Sequence, residues 1–579
     1  MILQALAEYY GRVASADDTA VAPPGFERKE IPFVVVVDRE GRFRDIEDTR
    51  TGEGKQKRGR IFAIPQAVKR TVAVVPNLLW DNPTYVFGVD AKGKPERAAR
   101  QHAEFVARIE EVSRAADDEG TRAVLRFLER GEFDAVYAHP NWNEVEETGA
   151  NLTFRLEGDD ELVCQRQGVR GVLSGDPGDD TRAERCMVTG ETGPVARLHT
   201  VIKGVWGAQT AGANIVSFNL DAFGSHGWKQ GLNAPVGEKT AFAYTTALNH
   251  LLRRDSPQRM RVGDASTIFW AERAVPLETA ITKLFDEPPR DDPHRNTEAM
   301  RVLYDAPRRG IDPDAGGSAT RFYVLGLAPN ASRISVRFWH VSTVAELSAR
   351  IRQHFDDLRI VHAPFEPDVL SLFRLLVSTA AIGKAENIRP NLGAELLRAA
   401  LDGTAYPREL LGAAVQRVRA EREVTYPRAA LIKACLVREA RANRHNTDPE
   451  VDVALDESNP NPAYRLGRLF AVLERAQEEA NPGLNATIRD RYFGAAATTP
   501  VIVFPRLLKL NGHHLSKLEN RGRAVNLEKL IGGIIDGVND FPTLLSLQDQ
   551  GRFSIGYYHQ RQDFFVKRGA AEPDPAAAA

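Results

Sequence analysis

Strand-forming sequence is confined to the first two-thirds of this chain, and that asymmetry limits the fold more than any other feature. Ile31–Val37 (IPFVVVV) is a dense β-branched run, the composition of a strand buried on both faces. Arg321–Leu327 (RFYVLGL) and Arg333–Trp339 (RISVRFW) are two more. The last alternates Ile334, Val336 and Phe338 with Ser335 and Arg337, a half-buried pattern, and the five residues 328–332 between the two predict a hairpin turn. Residues 213–219 (ANIVSFN) predict a further strand inside a glycine-punctuated stretch. After about Pro364 such runs stop. Asn461 stands as a helix cap before Pro462, and Leu466, Leu469, Phe470 and Leu473 share one face until Asn481-Pro482 ends the helix. Residues 391–445 and 502–550 add helical segments, as do 1–12, 96–113 and 120–130 near the start. The expectation is an α+β protein: a mixed α/β N-terminal region over 1–364, then an α-helical bundle over 365–565. Residues 287–318, rich in Pro, Asp, Arg and Gly, read as a long loop, and 566–579 as a disordered tail.

The remaining composition excludes several classes. No apolar run approaches the roughly 20 residues a membrane-spanning helix needs, so no membrane partner is expected. The first ten residues lack the basic start of a secretory signal. Three cysteines, an odd number, argue against a disulfide framework and for a reducing, cytoplasmic setting. With 76 Lys+Arg against 78 Asp+Glu, the net charge of -2 does not advertise a polyanionic partner. Local stretches do. Arg50, Lys55, Lys57, Arg58, Arg60, Lys69 and Arg70 stand against Glu53 alone between residues 50 and 70.

Catalytic signatures are missing: there is no P-loop, no HExxH and no GxSxG. Cys164, Cys186 and His199 do not match a standard zinc spacing. His513 and His514 are adjacent, so on a helix they point about 100° apart. Asp176, Asp179 and Asp180 sit in a Gly/Pro loop as solvated acids. No metal and no cofactor is expected. Residues 64–88 are richer, holding Gln66, Lys69, Arg70, Asn77, Trp80, Asn82 and Tyr85. Cations of this kind grip phosphates, while amides and an aromatic face read or wedge bases. A plain core role for Leu78, Leu79, Trp80 and Tyr85 is the alternative.

Nine segments together resemble the large subunit of the type I-C (Dvulg subtype) CRISPR Cascade complex, the Csd-type CRISPR-associated family. They are ILQALAEYY (2–10), PPGFERKEIPF (23–33), KRTVAVVPNLLWDN (69–82), ARLHTVIKGVWGAQTAGANIVSFN (196–219), NAPVGEKTAFAYTTALNHLL (233–252), FYVLGLAPNASRISVRFW (322–339), AYRLGRLFAVLERAQ (463–477), TIRDRYFGAA (487–496) and GRFSIGYYHQRQDFF (551–565). The resemblance implies a subunit without chemistry of its own. It would recognise the protospacer-adjacent motif on double-stranded DNA, help open the duplex and form the R-loop, and stabilise the displaced non-target strand. Implied partners are the CRISPR RNA, the target DNA, the other Cascade backbone and small subunits, and a recruited helicase–nuclease. The helical C-terminus would resemble the small subunit, and a separate product of that region would need a non-AUG start, with Val451 or Val453 as candidates.

Within that division of labour, guide pairing reads the long sequence and protein reads the short motif. On residue chemistry, Lys69, Arg70, Asn77 and Asn82 are the expected motif contacts, with Gln209 and Asn214 behind them. Arg50, Lys55, Lys57, Arg58 and Arg60 are the expected phosphate grip. Two competing readings are a guide-RNA-binding scaffold without motif readout and a metal-dependent nuclease using His513, His514 and the loop acids.

Overall fold

The computed structural model describes residues 1–17, 20–52, 57–68, 70, 74–90, 93–174, 183–285, 319–389, 391–443 and 451–565. Lys55, Lys69, Asp176, Asp179, Asp180, the 287–318 segment and the 566–579 tail lie outside them. The chain is α+β, with mixed sheet early and helices late. It divides into two compact units: Met1–Lys203 with Thr210–Arg253, and Gly204–Gln209 with Arg254–Ala579.

In the first unit the strands are β1 (Phe26–Ile31), β2 (Phe33–Val37), β3 (Phe43–Asp48), β4 (Arg60–Pro65), β5 (Trp80–Asp81), β6 (Leu152–Leu156), β7 (Ala183–Arg185) and β8 (Thr192–Pro194). Pro32 separates β1 from β2, because it has no N–H to donate to a ladder. The two strands therefore join different sheets. β1 pairs with β4 as an antiparallel ribbon, Phe26 opposite Pro65 through Ile31 opposite Arg60. β2 is central in a sheet ordered β3-β2-β6-β5, antiparallel to β3 and parallel to β6. All five of its residues are buried, which is why the run is apolar rather than alternating. Helices Pro95–Ala116 and Glu119–Arg130 supply Phe105, Ile109, Val124 and Phe127 to its core. The second is capped by Asp118, whose carboxylate accepts from Thr121 N–H at 3.0 Å. Helix Ile2–Ala16 packs on helix Glu238–Leu251, with the Tyr10 and Phe242 rings edge-on at 5.5 Å.

Residues 213–219 do not form the predicted strand; Ala213 and Asn214 are isolated bridge residues, Ala213 opposite Ile202. Side-chain amides take the place of a ladder. Asn214 Nδ2 donates to the carbonyls of His199 (3.1 Å) and Thr200 (3.3 Å), and Asn249 Nδ2 to that of Val201 (3.1 Å).

The second unit opens with an antiparallel sheet of β9 (Arg259–Val262), β10 (Ala265–Ala271), β11 (Arg321–Asn330) and β12 (Arg333–Thr343), ordered β12-β11-β10-β9. The predicted hairpin is present, but its turn is two residues, not five. The strands run on to Asn330 and from Arg333, leaving Ala331-Ser332 to reverse the chain with Ala331 at φ 52°. The expected alternation of β12 also fails. A bulge at Gly326/Leu327 shifts the register, so Phe338 lies over Gly326 while Val336 is 42% exposed.

Helices follow from Val344–Leu358, started by a Thr343–Glu346 capping box. Helix Pro462–Ala480 is capped by Asn461 as its sequence predicts, with Oδ1 accepting from Ala463 N–H at 2.9 Å. It packs along helix Leu547–Asp563 around Phe470, Phe493, Phe553 and Tyr557. One continuous core joins Phe269, Phe322 and Val324 of the sheet to Leu347, Leu431, Leu466 and Phe553 of the helices. Among the described residues no helix is long and apolar enough to cross a membrane.

Candidate nucleic-acid interface

The basic stretch after β3 splits into two kinds of side chain. Arg50 is turned inward, its side chain 9% exposed. Its guanidinium binds Asp48 at 2.7 Å, pairs with Glu144, and lies 4.5 Å over the Phe33 ring. Hydrogen bonds from Arg50 hold both carboxyls below the usual carboxylate range. Lys57, Arg58 and Arg60 face solvent instead. Arg58 is held loosely, 3.9 Å from Glu30 with its side chain 73% exposed. The Thr51–Arg58 bridge closes this loop, and β4 begins at Arg60. The exposed cations therefore stand at one end of the β1–β4 ribbon.

The segment that follows is organised by a buried acid. Asp81 accepts from Arg70 Nη1 at 3.0 Å, from Asn77 N–H at 2.9 Å and from Asn82 N–H at 2.9 Å, and its second oxygen pairs with Arg70 Nη2. Arg70 also donates to the Val75 carbonyl at 2.7 Å and stacks 4.1 Å over Tyr85. Asn77 is buried, with Oδ1 accepting from Val68 N–H at 3.0 Å. Trp80 is core: its indole N–H donates to the Pro65 carbonyl at 2.8 Å, and the Lys29 ammonium sits 4.3 Å over its ring. Burial lowers the pKa of that ammonium.

Asn82 stands at the edge of this knot. Its Oδ1 caps helix Pro83–Phe87, accepting from Thr84 N–H (3.1 Å) and Tyr85 N–H (3.3 Å). The same side chain lines an open cleft of about 320 Å³ with Thr84, Asp90, Lys94, Arg97 and Gln101. That set combines two cations and two amides with one acid, Asp90, so donors and acceptors suited to base edges outnumber the carboxylate. Lys94, Arg97 and Gln101 escaped the sequence reading. Their signal was there, since spacings of three and four put them on one face at the start of a 22-residue helix, but nothing local tied that face to Asn82.

The other expected contacts belong to different units. Asn214 spends Nδ2 on backbone carbonyls in the first unit; Gln209 is exposed in the second. Beside Asn214, His199 Nδ1 meets the Tyr244 hydroxyl at 2.5 Å, in the wall of a cavity of about 20 Å³, room for one or two waters. Lys55 and Lys69 lie outside the described residues.

Cys164, Cys186 and Cys435 are buried thiols. Burial pushes Cys164 up to about 12. His513 is exposed and His514 half-buried on helix Pro500–Lys517. Among the described residues, no group of three or more His, Cys, Asp or Glu side chains is arranged to hold a metal ion.

Comparison with known proteins gives one family. Its description is CRISPR-associated protein (Cas_Csd1), and its profile matches residues 6–565. No curated protein matches the chain.

Proposed function

The chain belongs to the CRISPR-associated Csd1 family, and from that premise we propose that it is the non-catalytic large subunit of a type I-C RNA-guided surveillance complex. In this reading it recognises the protospacer-adjacent motif on duplex DNA, promotes opening and R-loop formation, stabilises the displaced strand and recruits the helicase–nuclease. The observation that carries it is the family match, which runs from residue 6 to residue 565 rather than over one motif. The side chains supply a physical basis. Exposed Lys57, Arg58 and Arg60 suit phosphates, and the cleft of Asn82, Lys94, Arg97 and Gln101 suits a groove edge. Arg50 and Arg70 support this reading indirectly, by bracing the loops on which those side chains stand.

The guide-RNA scaffold is the second reading, favoured by the internal ion pairs of Arg50 and Arg70, which withdraw two candidate DNA contacts. The deciding experiment is a gel shift of the assembled complex on duplexes with and without the adjacent motif. Tighter capture of the motif-bearing duplex, lost on replacing Arg97 and Gln101 by Ala, is the expected result. Equal capture of both duplexes would leave the scaffold reading standing.

A further inference from the structure

Gly204–Gln209 belongs to the second unit, where it lies against β9 and β10. Val205 is buried and anchors a tight turn, with Ala208 N–H donating to its carbonyl at 3.1 Å. Trp206 stands at the tip of that turn, and its backbone N–H donates to Oγ of buried Ser266 at 2.8 Å. Gly207 has φ 77°, and a Cβ there would already touch Pro329. The indole is thus held from its backbone while remaining 52% exposed. An aromatic side chain of this size is normally buried, and a rigid backbone under an exposed one points to a ligand.

Arg261 completes the arrangement. It faces Ser266 across the β9–β10 pair, and its guanidinium lies 4.3 Å over the Trp206 ring. Its Nε donates to the Gly263 carbonyl at 3.0 Å, which fixes the guanidinium plane. Asp264, the acid of the adjoining turn, is engaged by Arg337 at 2.7 Å. Gln209, exposed three residues beyond the tryptophan, adds an amide. A fixed aromatic face, a cation stacked on it and an amide nearby form the set that takes flat, electron-rich rings beside a phosphate.

We propose that Trp206 and Arg261 form a stacking seat for one unpaired nucleobase of a nucleic-acid strand, with Arg261 also meeting the neighbouring phosphate. The proposal rests on the function above only for the presence of nucleic acid. Every base offers a π-face, so the seat holds a strand without reading its sequence.

The test is binding of the full chain to oligothymidylate and oligouridylate, and to abasic strands of equal length. Trp206→Ala should weaken capture of base-bearing strands roughly 5- to 150-fold. Trp206→Phe should restore most of the loss, and abasic strands should bind wild type and Trp206→Ala alike. The thermal midpoint of Trp206→Ala, measured alongside, should match wild type because the ring is half out of the fold. A defect in the DNA arm alone supports a seat for the displaced strand, and one in the RNA arm alone a seat for the guide. Unchanged capture by Trp206→Ala, or an equal loss on abasic strands, overturns the seat and leaves the proposed function intact. Failure of the wild-type chain to bind either polymer also overturns the seat, while the proposed function is decided separately by the duplex gel shift of the assembled complex.

Discussion

Asp81 is almost completely buried, and what surrounds it divides residues that look alike in the sequence. Arg70 is its counter-ion; Arg97, one helix away, has none of that role. Replacing Arg70 by Ala leaves a buried carboxylate short of its donors, so a loss of about 1–3 kcal/mol is expected, read as a lower urea midpoint. Arg97→Ala should keep stability within about 0.5 kcal/mol and instead weaken motif-dependent capture by about 1–3 kcal/mol. The reverse pattern would show that the cleft is structural and Arg70 the contact. Three histidines behave as a set at this scale. His199, His354 and His559 each meet a tyrosine hydroxyl through Nδ1, at 2.5, 2.5 and 2.9 Å. Burial pushes the imidazoles down to about 4, about 3 and about 3. Unfolded histidine titrates near 6.5, so below that the unfolded chain takes up protons that the folded one refuses. Their contribution to stability is complete above about pH 6.5 and is lost as pH falls toward 4 and 3. Thermal midpoints should therefore fall from pH 7.5 to 5, and His559→Gln should flatten that dependence; an unchanged slope would contradict the assignment.

At the scale of elements, the closest packing is the pair Pro462–Ala480 and Leu547–Asp563. A Cβ on Gly467 would come 2.0 Å from the Phe553 carbonyl oxygen, and one on Gly556 2.1 Å from that of Tyr464. Backbone cannot yield as a flexible side chain can. Gly467→Ala is expected to cost about 1–3 kcal/mol or more despite the better helix propensity of Ala. Gly512, in helix Pro500–Lys517, has nothing within 4 Å of an added Cβ, so Gly512→Ala should gain up to about 1 kcal/mol. Chemical denaturation of the two variants side by side checks both signs. Equal effects would mean that the helices are not held at backbone contact.

For the molecule as a whole, a net charge of -2 conceals where positive charge is available. Among the described cations of residues 50–70, ion pairing engages Arg50 and Arg70 and leaves Lys57, Arg58 and Arg60 facing solvent. Each phosphate contact contributes about 0.9 to the slope of log affinity against log salt. Replacing these three by Ala in the assembled complex should lower that slope by up to about 2.7, while Arg50→Ala should act mainly on stability. A salt titration of duplex capture measures both. An unaltered slope in the triple variant would move the phosphate grip elsewhere.

Local chemistry was readable wherever neighbours in the chain do the work. The Asn461 cap, the stop at Asn481 and the α+β division all follow from short-range pattern, as does the buried strand expected over 31–37, although Pro32 leaves Ile31 in β1 and starts β2 at Phe33. So did the amide- and cation-rich segments around Asn82 and Lys57. Folding decided which of those groups stay available. Whether an arginine meets solvent depends on carboxylates far away in sequence, as Glu144 does for Arg50, and no local pattern holds that distance. The same holds for residues 213–219, where side-chain amides outcompete strand pairing, and for β12, whose bulge reverses an alternation that looked regular. The Lys94–Gln101 face and the Trp206–Arg261 pair exist only once separate segments are brought together. Backbone preference and hydrophobic period are properties of a few consecutive residues, whereas ion pairing, stacking and register are properties of partners that only tertiary folding can assign.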